Sequence, residues 1–245
     1  GIQYIATSQI SRAIPCFKLI ARQDAERRAR FHEMIGELYA SIEDYDKAAH
    51  YLKSAADAKP SDPGPILKLA SVYAVDDFEK AIDLLESAPS EVSMEFDLLY
   101  RLAHLYSVNK QYDLAITKFK EAEHNWPPTA GEERDQPAPA EFYLNYGATY
   151  DQAGNMEEAE RILEKCIELY PDAHEALNYL AYTWAENDMK LNKALDYIQR
   201  ALDMDPEDGA YIDTLGWIYY KQGKYNEALT QIEKAIDLLG NDPVL

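Results

Sequence analysis

The sequence predicts an all-α protein, a right-handed superhelical solenoid of helix-turn-helix repeats. Two recurrences and one set of breaks predict it. An aromatic stands at Tyr39, Tyr73, Tyr106, Tyr150, Trp184 and Tyr219, at spacings of 34, 33, 44, 34 and 35 residues. An alanine follows each, at Ala48, Ala81, Ala115, Ala159, Ala194 and Ala228. Prolines at Pro60, Pro127, Pro171 and Pro206 fall where units end, and proline cannot continue a helix interior. A fixed period of roughly 20–50 residues marks a stacked array, in which each unit buries its apolar face against its neighbours.

The elements follow in order. Residues 1–28 read as a partial repeat, because Gly1, Tyr4, Ala13, Phe17 and Ile20 fit the later part of a unit. Three full units follow, 29–62, 63–95 and 96–129, the second one residue short near Asp76–Asp77. The 44-residue gap locates an inserted loop at 130–139, which is polar, holds two prolines and lacks apolar periodicity. It reads as a tolerated surface insertion, a hinge or a flap. Three more units follow, 140–173, 174–208 and 209–242, the middle one a residue longer around Asn187–Leu191. Residues 243–245 read as the start of a further unit or a cap, since Pro243 stands where Pro63 does. Neither end offers a polar capping helix, so a longer array is expected.

The unit at 140–173 shows the internal logic. Tyr143, Tyr146, Gly147 and Tyr150 share one face of a first helix. Gly147, Gly36 and Gly216 are small where a neighbouring helix must come close, and Ala70, Ala103 and Ala181 fill the same slot. A turn is expected at Ala153–Gly154–Asn155, and Ala159, Leu163 and Cys166 form the inner face of the second helix. This arrangement resembles the tetratricopeptide repeat family. Ile212, Leu215, Gly216, Tyr219, Ala228, Ile232 and Ala235 match in the last unit. Leu99, Leu102, Ala103, Tyr106, Ala115, Phe119, Ala122 and Pro127 match in the third.

Composition narrows the functions. The net charge is −20, with −5 over residues 1–128 and −15 over 129–245. That balance argues against nucleic acid, whose backbone needs clustered Lys and Arg, and favours a neutral-to-basic partner. No apolar run is long enough to span a membrane, so no membrane insertion is expected. Cys16 and Cys166 lie several repeats apart, and Cys166 occupies a slot where other units place alanine, so it reads as a buried small residue. No catalytic residue, metal or cofactor is expected. His32-Glu33 and His174-Glu175 open like a zinc-protease motif, but Gly36 and Asn178 replace the second histidine. Asp203, Asp205 and Glu207 mimic a calcium loop, but Asp208 stands where glycine is needed and Pro206 interrupts it.

The resemblance implies where a partner would bind. The fifth, ninth, twelfth and thirteenth positions of each first helix form a stripe, and in tetratricopeptide arrays that stripe lines the concave groove. The candidate groove residues are Tyr100, His104, Leu144, Asp151, Asn178, Tyr182, Asp213, Trp217 and Tyr220. The last five combine large aromatics with amide and carboxylate groups, which suits an extended polypeptide. The alternative is that Trp217 and Tyr220 pack on the neighbouring helix. The fifth-position residues, Glu33, Leu67, Tyr100, Leu144, Asn178 and Asp213, include no lysine, so a clamp for a terminal carboxylate is not expected. Residues 176–229 are similar to the closing repeats of bacterial, envelope-associated tetratricopeptide adaptors, which leaves the compartment open between envelope and cytoplasm. The expected role is a protein-interaction scaffold. The alternatives are a structural oligomerisation module, with a homodimer through repeat ends, and the regulatory region of a larger enzyme.

Overall fold

The computed structural model describes residues 2–24, 27–126 and 137–240. Their regular structure is all α-helical, in two compact units, Gly1–Gln136 and Pro137–Leu245. The first unit contains α1 (Ile2–Gln23), α2 (Arg28–Ala40), α3 (Tyr45–Ala58), α4 (Pro63–Tyr73), α5 (Phe78–Glu86), α6 (Phe96–Val108) and α7 (Tyr112–His124). The second contains α8 (Ala140–Gln152), α9 (Met156–Leu169), α10 (His174–Glu186), α11 (Leu191–Met204), α12 (Gly209–Lys221) and α13 (Tyr225–Leu239). From α2 onward, successive helices pair as hairpins, and each first helix also packs on the first helix of the next hairpin within its unit. Of the expected loop at 130–139, only 137–139 are described, leading into α8. The expected start of a further unit at 243–245 lies outside the described residues.

Short-range chemistry defines the hairpins. Asp44, Asp62, Asp77, Asn155 and Asp208 cap helices by accepting backbone N–H bonds, which satisfies donors that the first turn leaves open. The turns between paired helices place one residue in the left-handed region at Glu43, Lys110, Gly154 and Gly223, and the longer turn between α10 and α11 places two, Asp188 and Lys190. The turn between α4 and α5 has no such residue. The single residue missing from that repeat is therefore the left-handed one.

The small slot is where paired helices touch. A Cβ on Gly36 would lie 2.6 Å from Leu52 Cγ, one on Gly147 would lie 2.6 Å from Leu163 Cγ, and one on Gly216 would lie 2.8 Å from Ile232 Cγ1. Ala70, Ala103 and Ala181 fill the slot elsewhere and are fully buried. Cys166 is also fully buried, and its Sγ donates to the Ala140 carbonyl at 3.4 Å. Burial pushes its thiol up to about 11, so it behaves as a small apolar residue. Cys16 is exposed.

The same repeat has a second irregularity. Helix α5 has nine residues, whereas the other second helices have thirteen to fifteen. Pro89 disfavours helical geometry at Ala88 and stops it. The missing turn leaves a cavity of about 410 Å³ over Ile66, Leu69, Tyr73 and Leu84. None of the nine predicted groove residues lines it.

A Gly147→Val substitution is expected to lower stability by about 2 kcal/mol, since the added atoms meet Leu163 at a contact with no slack. Thermal denaturation measures it, and an unchanged Tm would show that α8 and α9 can separate freely.

Candidate protein-binding site

Within the second unit, α10 packs on both α8 and α12. Three interlocks hold this packing. Tyr170, just after α9, donates its hydroxyl to the Ala138 carbonyl at 2.7 Å. His174 Nδ1 and the Tyr211 hydroxyl are 2.6 Å apart, which joins the starts of α10 and α12. Trp184 is fully buried, and its Nε1 donates to Glu160 Oε2 on α9 at 3.1 Å. Glu160 also binds the ammonium of Lys190, and Lys190 and Lys193 lie 5.2 and 5.0 Å from the Trp184 ring centroid. Burial raises the Glu160 pKa, but the hydrogen bonds from Lys190 and Trp184 outweigh it and hold the carboxyl below its ordinary value.

On this frame α10 and α12 present the predicted stripe. Tyr182 is 44% exposed. Its phenol pKa is raised by partial burial, by the charges of Glu186 and Asp213, and by a hydrogen bond to Glu186. Asp213 is exposed and makes no ion pair among the described residues. Trp217 is half-buried and stacks on Tyr220, with centroids 5.2 Å apart and planes at 11°. Tyr220 is 48% exposed and touches Tyr225 at 5.6 Å. Asn178 Oδ1 and Trp217 Nε1 are buried without a hydrogen-bond partner. They are one acceptor and one donor, each costly to leave unmade. Lys221 lies 5.2 Å from the Trp217 centroid, pairs with Asp188 at 3.1 Å and donates to the Glu186 carbonyl.

The remaining predicted residues divide. Leu144 is half-buried on α8, and Asp151 accepts the Tyr179 hydroxyl at 3.0 Å. Tyr179 is raised by burial and by the Asp151 charge. Tyr100 and His104 belong to α6 in the first unit, where Tyr100 touches Phe96 and Phe119. Ala185, a stripe position by count, is fully buried. The stripe read from the sequence also includes Glu186, at the thirteenth position of α10, but not Tyr225. Tyr225 opens α13 in a slot that is apolar in every second helix, and it is among the most exposed aromatics described. Among the described residues, no group of three or more His, Cys, Asp or Glu could hold a metal, and no helix is long and apolar enough to cross a membrane.

Paired helices stacked by small-slot contacts define the class of helical-repeat interaction scaffolds. Tetratricopeptide repeat patterns match residues 1–63 with 149–209, 95–172 and 210–242, and the chain belongs to the tetratricopeptide repeat family. It is 33% identical over 86 residues to the TPR repeat-containing protein PA4667 of Pseudomonas aeruginosa, across 35% of this chain. The chain spans 15% of that relative's length. Its fold is similar to that of pilF from Pseudomonas aeruginosa, with a TM-score of 0.69, 15% identity and coverage of 89% of this chain and 95% of that one. It is also similar to that of YrrB, described as a TPR protein with an unusual peptide-binding site, with a TM-score of 0.57, 22% identity and coverage of 79% and 95%.

The Glu160 network makes a pH-dependent contribution. The native carboxyl is more acidic than the unfolded one, so its stabilisation is full above the ordinary value of 4.5 and is lost as pH falls through the lower native value. Between about pH 5 and pH 3, the Tm of the wild type is expected to fall more steeply than that of Glu160→Gln. Parallel curves in a melting series would rule the network out as the cause.

Proposed function

We propose that this scaffold holds an extended polypeptide partner against the stripe formed by α10 and α12. The observation that carries the reading is the group of exposed rings, Tyr182 and Tyr220, beside half-buried Trp217 and the unpaired carboxylate of Asp213. Stacked aromatics offer contact area at little entropic cost, and such residues dominate binding surfaces. The orphan acceptor of Asn178 and donor of Trp217 match the two groups that a peptide bond offers. A modest shift of the covering side chains would bring them into use. Residues 137–245 carry 8 basic and 21 acidic side chains, a balance of −13 that favours a neutral-to-basic partner. The peptide-binding site ascribed to YrrB, a neighbour in fold, is in keeping with this reading.

A second reading has its own observation. Ile236 on α13 is 61% exposed, whereas Ile167 on α9 and Leu202 on α11, in the same slot of their helices, are 6% and 9% exposed. The next first helix covers those two. Leu229, two turns earlier on the same side of the helix, extends the open face of α13, which suits self-association of the chain.

Two measurements separate these readings. Tyr182→Ala with Tyr220→Ala removes two exposed rings, so the fold is expected to survive. Affinity for unstructured peptides, read by fluorescence anisotropy, is expected to drop about thirtyfold; full retention would sink the α10–α12 assignment. In light scattering, self-association predicts a dimer that Ile236→Lys converts to monomer. A wild type that is monomeric throughout would remove the second reading.

A further inference from the structure

We infer that the cavity between α3, α4 and α5 is a separate docking site, which takes two adjacent apolar side chains of a partner polypeptide. It lies in the first unit, whereas the α10–α12 stripe belongs to the second. Its floor is Ile66 and Leu69, both buried, with half-buried Leu84. Two departures from the repeat open it. The slot that holds Ile167 on α9 and Leu202 on α11 holds Ala56 on α3 and Pro89 beyond the end of α5. Ala56 and Pro89 both line the cavity. In the second unit the chain thus supplies its own aliphatic plug, with Ile167 and Leu202 buried, and in the first it does not. Emptying a core of one large side chain opens on the order of 150 Å³. The cavity measures about 410 Å³, so it has room for about two such side chains.

The rim carries unmatched polar groups. In the following repeat the Tyr106 hydroxyl donates to Glu86. The equivalent residues here are Tyr73 and Lys53, and both line the cavity. Lysine has N–H donors and no acceptor, so this exchange removes the partner of the tyrosine hydroxyl proton. Among the described residues, the Tyr73 hydroxyl and the Lys53 ammonium make no hydrogen bond or ion pair. Lys80 lies 3.9 Å from the centroid of the Tyr73 ring and leaves that hydroxyl open. Asp57, one turn on from Lys53, is on the same rim and is likewise unpaired among the described residues. Asp62 is already engaged, by Lys59 at 2.8 Å and by the Gly64 N–H at 3.1 Å.

These groups select the occupant. Two donors and one acceptor beside an apolar floor match a peptide backbone. Its C=O groups face Lys53 and Tyr73, its N–H faces Asp57, and its side chains cover Ile66, Leu69 and Leu84. The open charges of the rim are one of each sign, so a neutral segment meets no net repulsion. A fatty carboxylate would satisfy the two donors but would bring a second anion beside Asp57.

The test uses the full chain, labelled for NMR at its Ile, Leu and Val methyl groups and at nitrogen, with peptides acetyl-Ser-Gly-Xaa-Xaa-Gly-Ser-amide. Xaa-Xaa is Leu-Leu, Leu-Gln or Gln-Gln. Leu-Leu is expected to shift the methyl signals of Ile66, Leu69 and Leu84 and to bind about tenfold tighter than Leu-Gln, with Gln-Gln weakest. Ala56→Leu, which supplies the plug of the second unit, should raise Tm by about 3 °C and weaken Leu-Leu about tenfold. Ser87→Trp, at the exposed mouth, should give the same loss without entering the floor. Tyr73→Phe should weaken Leu-Leu about threefold with Tm unchanged, since its hydroxyl has no partner among the described residues. Leu-Leu binding that both Ala56→Leu and Ser87→Trp leave intact, or shifts confined to the Trp217 indole, would overturn this site and leave the α10–α12 reading standing. Decanoate binding more tightly than Leu-Leu would overturn the polypeptide as occupant. Unshifted Ile66, Leu69 and Leu84 methyls at millimolar Leu-Leu would overturn the site itself.

Discussion

Every hairpin in this protein depends on the distance between its two helices at one small slot. Where that slot is glycine, a single added carbon would sit 2.6 to 2.8 Å from a branched side chain of the paired helix. Helices at that separation interlock their side chains to the density of a crystal, and such packing tolerates little change of volume. The second helix is thereby held in register, with its alanine, at Ala48, Ala115, Ala159 or Ala194, fully buried. Because the contact recurs in each repeat, the stack is a sum of nearly equal local solutions rather than one large core.

Register has a consequence for the outer stripe. Once the small slot and the recurrent aromatic of a first helix face inward, the positions one step around the helix must face out. Trp184 anchors α10 this way, and its hydrogen bond to Glu160 ties the indole to the previous hairpin. Tyr182, two residues earlier, is then turned toward α12 and solvent. A deep contact with one hairpin thus positions a surface residue of the candidate site. The arrangement leaves Asn178 Oδ1 and Trp217 Nε1 without partners. Unsatisfied groups of this kind are costly in a scaffold that only has to stack.

Much of the fold was legible in the sequence because the repeat states its contacts six times. Gly147 and Ala181 read as close-approach residues from sequence alone, and Cys166 read as a buried stand-in for alanine, as the structure bears out. Other features were hidden. That the deletion near Asp76–Asp77 removed the left-handed residue of a turn is a backbone property that residue types do not announce, since Glu43, Lys110 and Asp188 adopt that conformation elsewhere. Tyr225 fills a slot that is apolar in every second helix, and only the structure shows its ring open beside Tyr220. Asp151 looked like a free groove carboxylate until Tyr179, a residue of the next hairpin, was seen to hold it.

The sequence by itself determined the helical-repeat class, the period and the list of stripe positions, because each follows from spacing along one chain. Tertiary structure decided which stripe residues share surroundings and which charges are already neutralised. Glu33 and Glu37 look as available as Glu186 and Asp213 until Lys68 is placed between the first two. Those distinctions depend on distances between residues about one repeat apart in sequence, and a repeat pattern records which slots exist without recording which side chains meet across them.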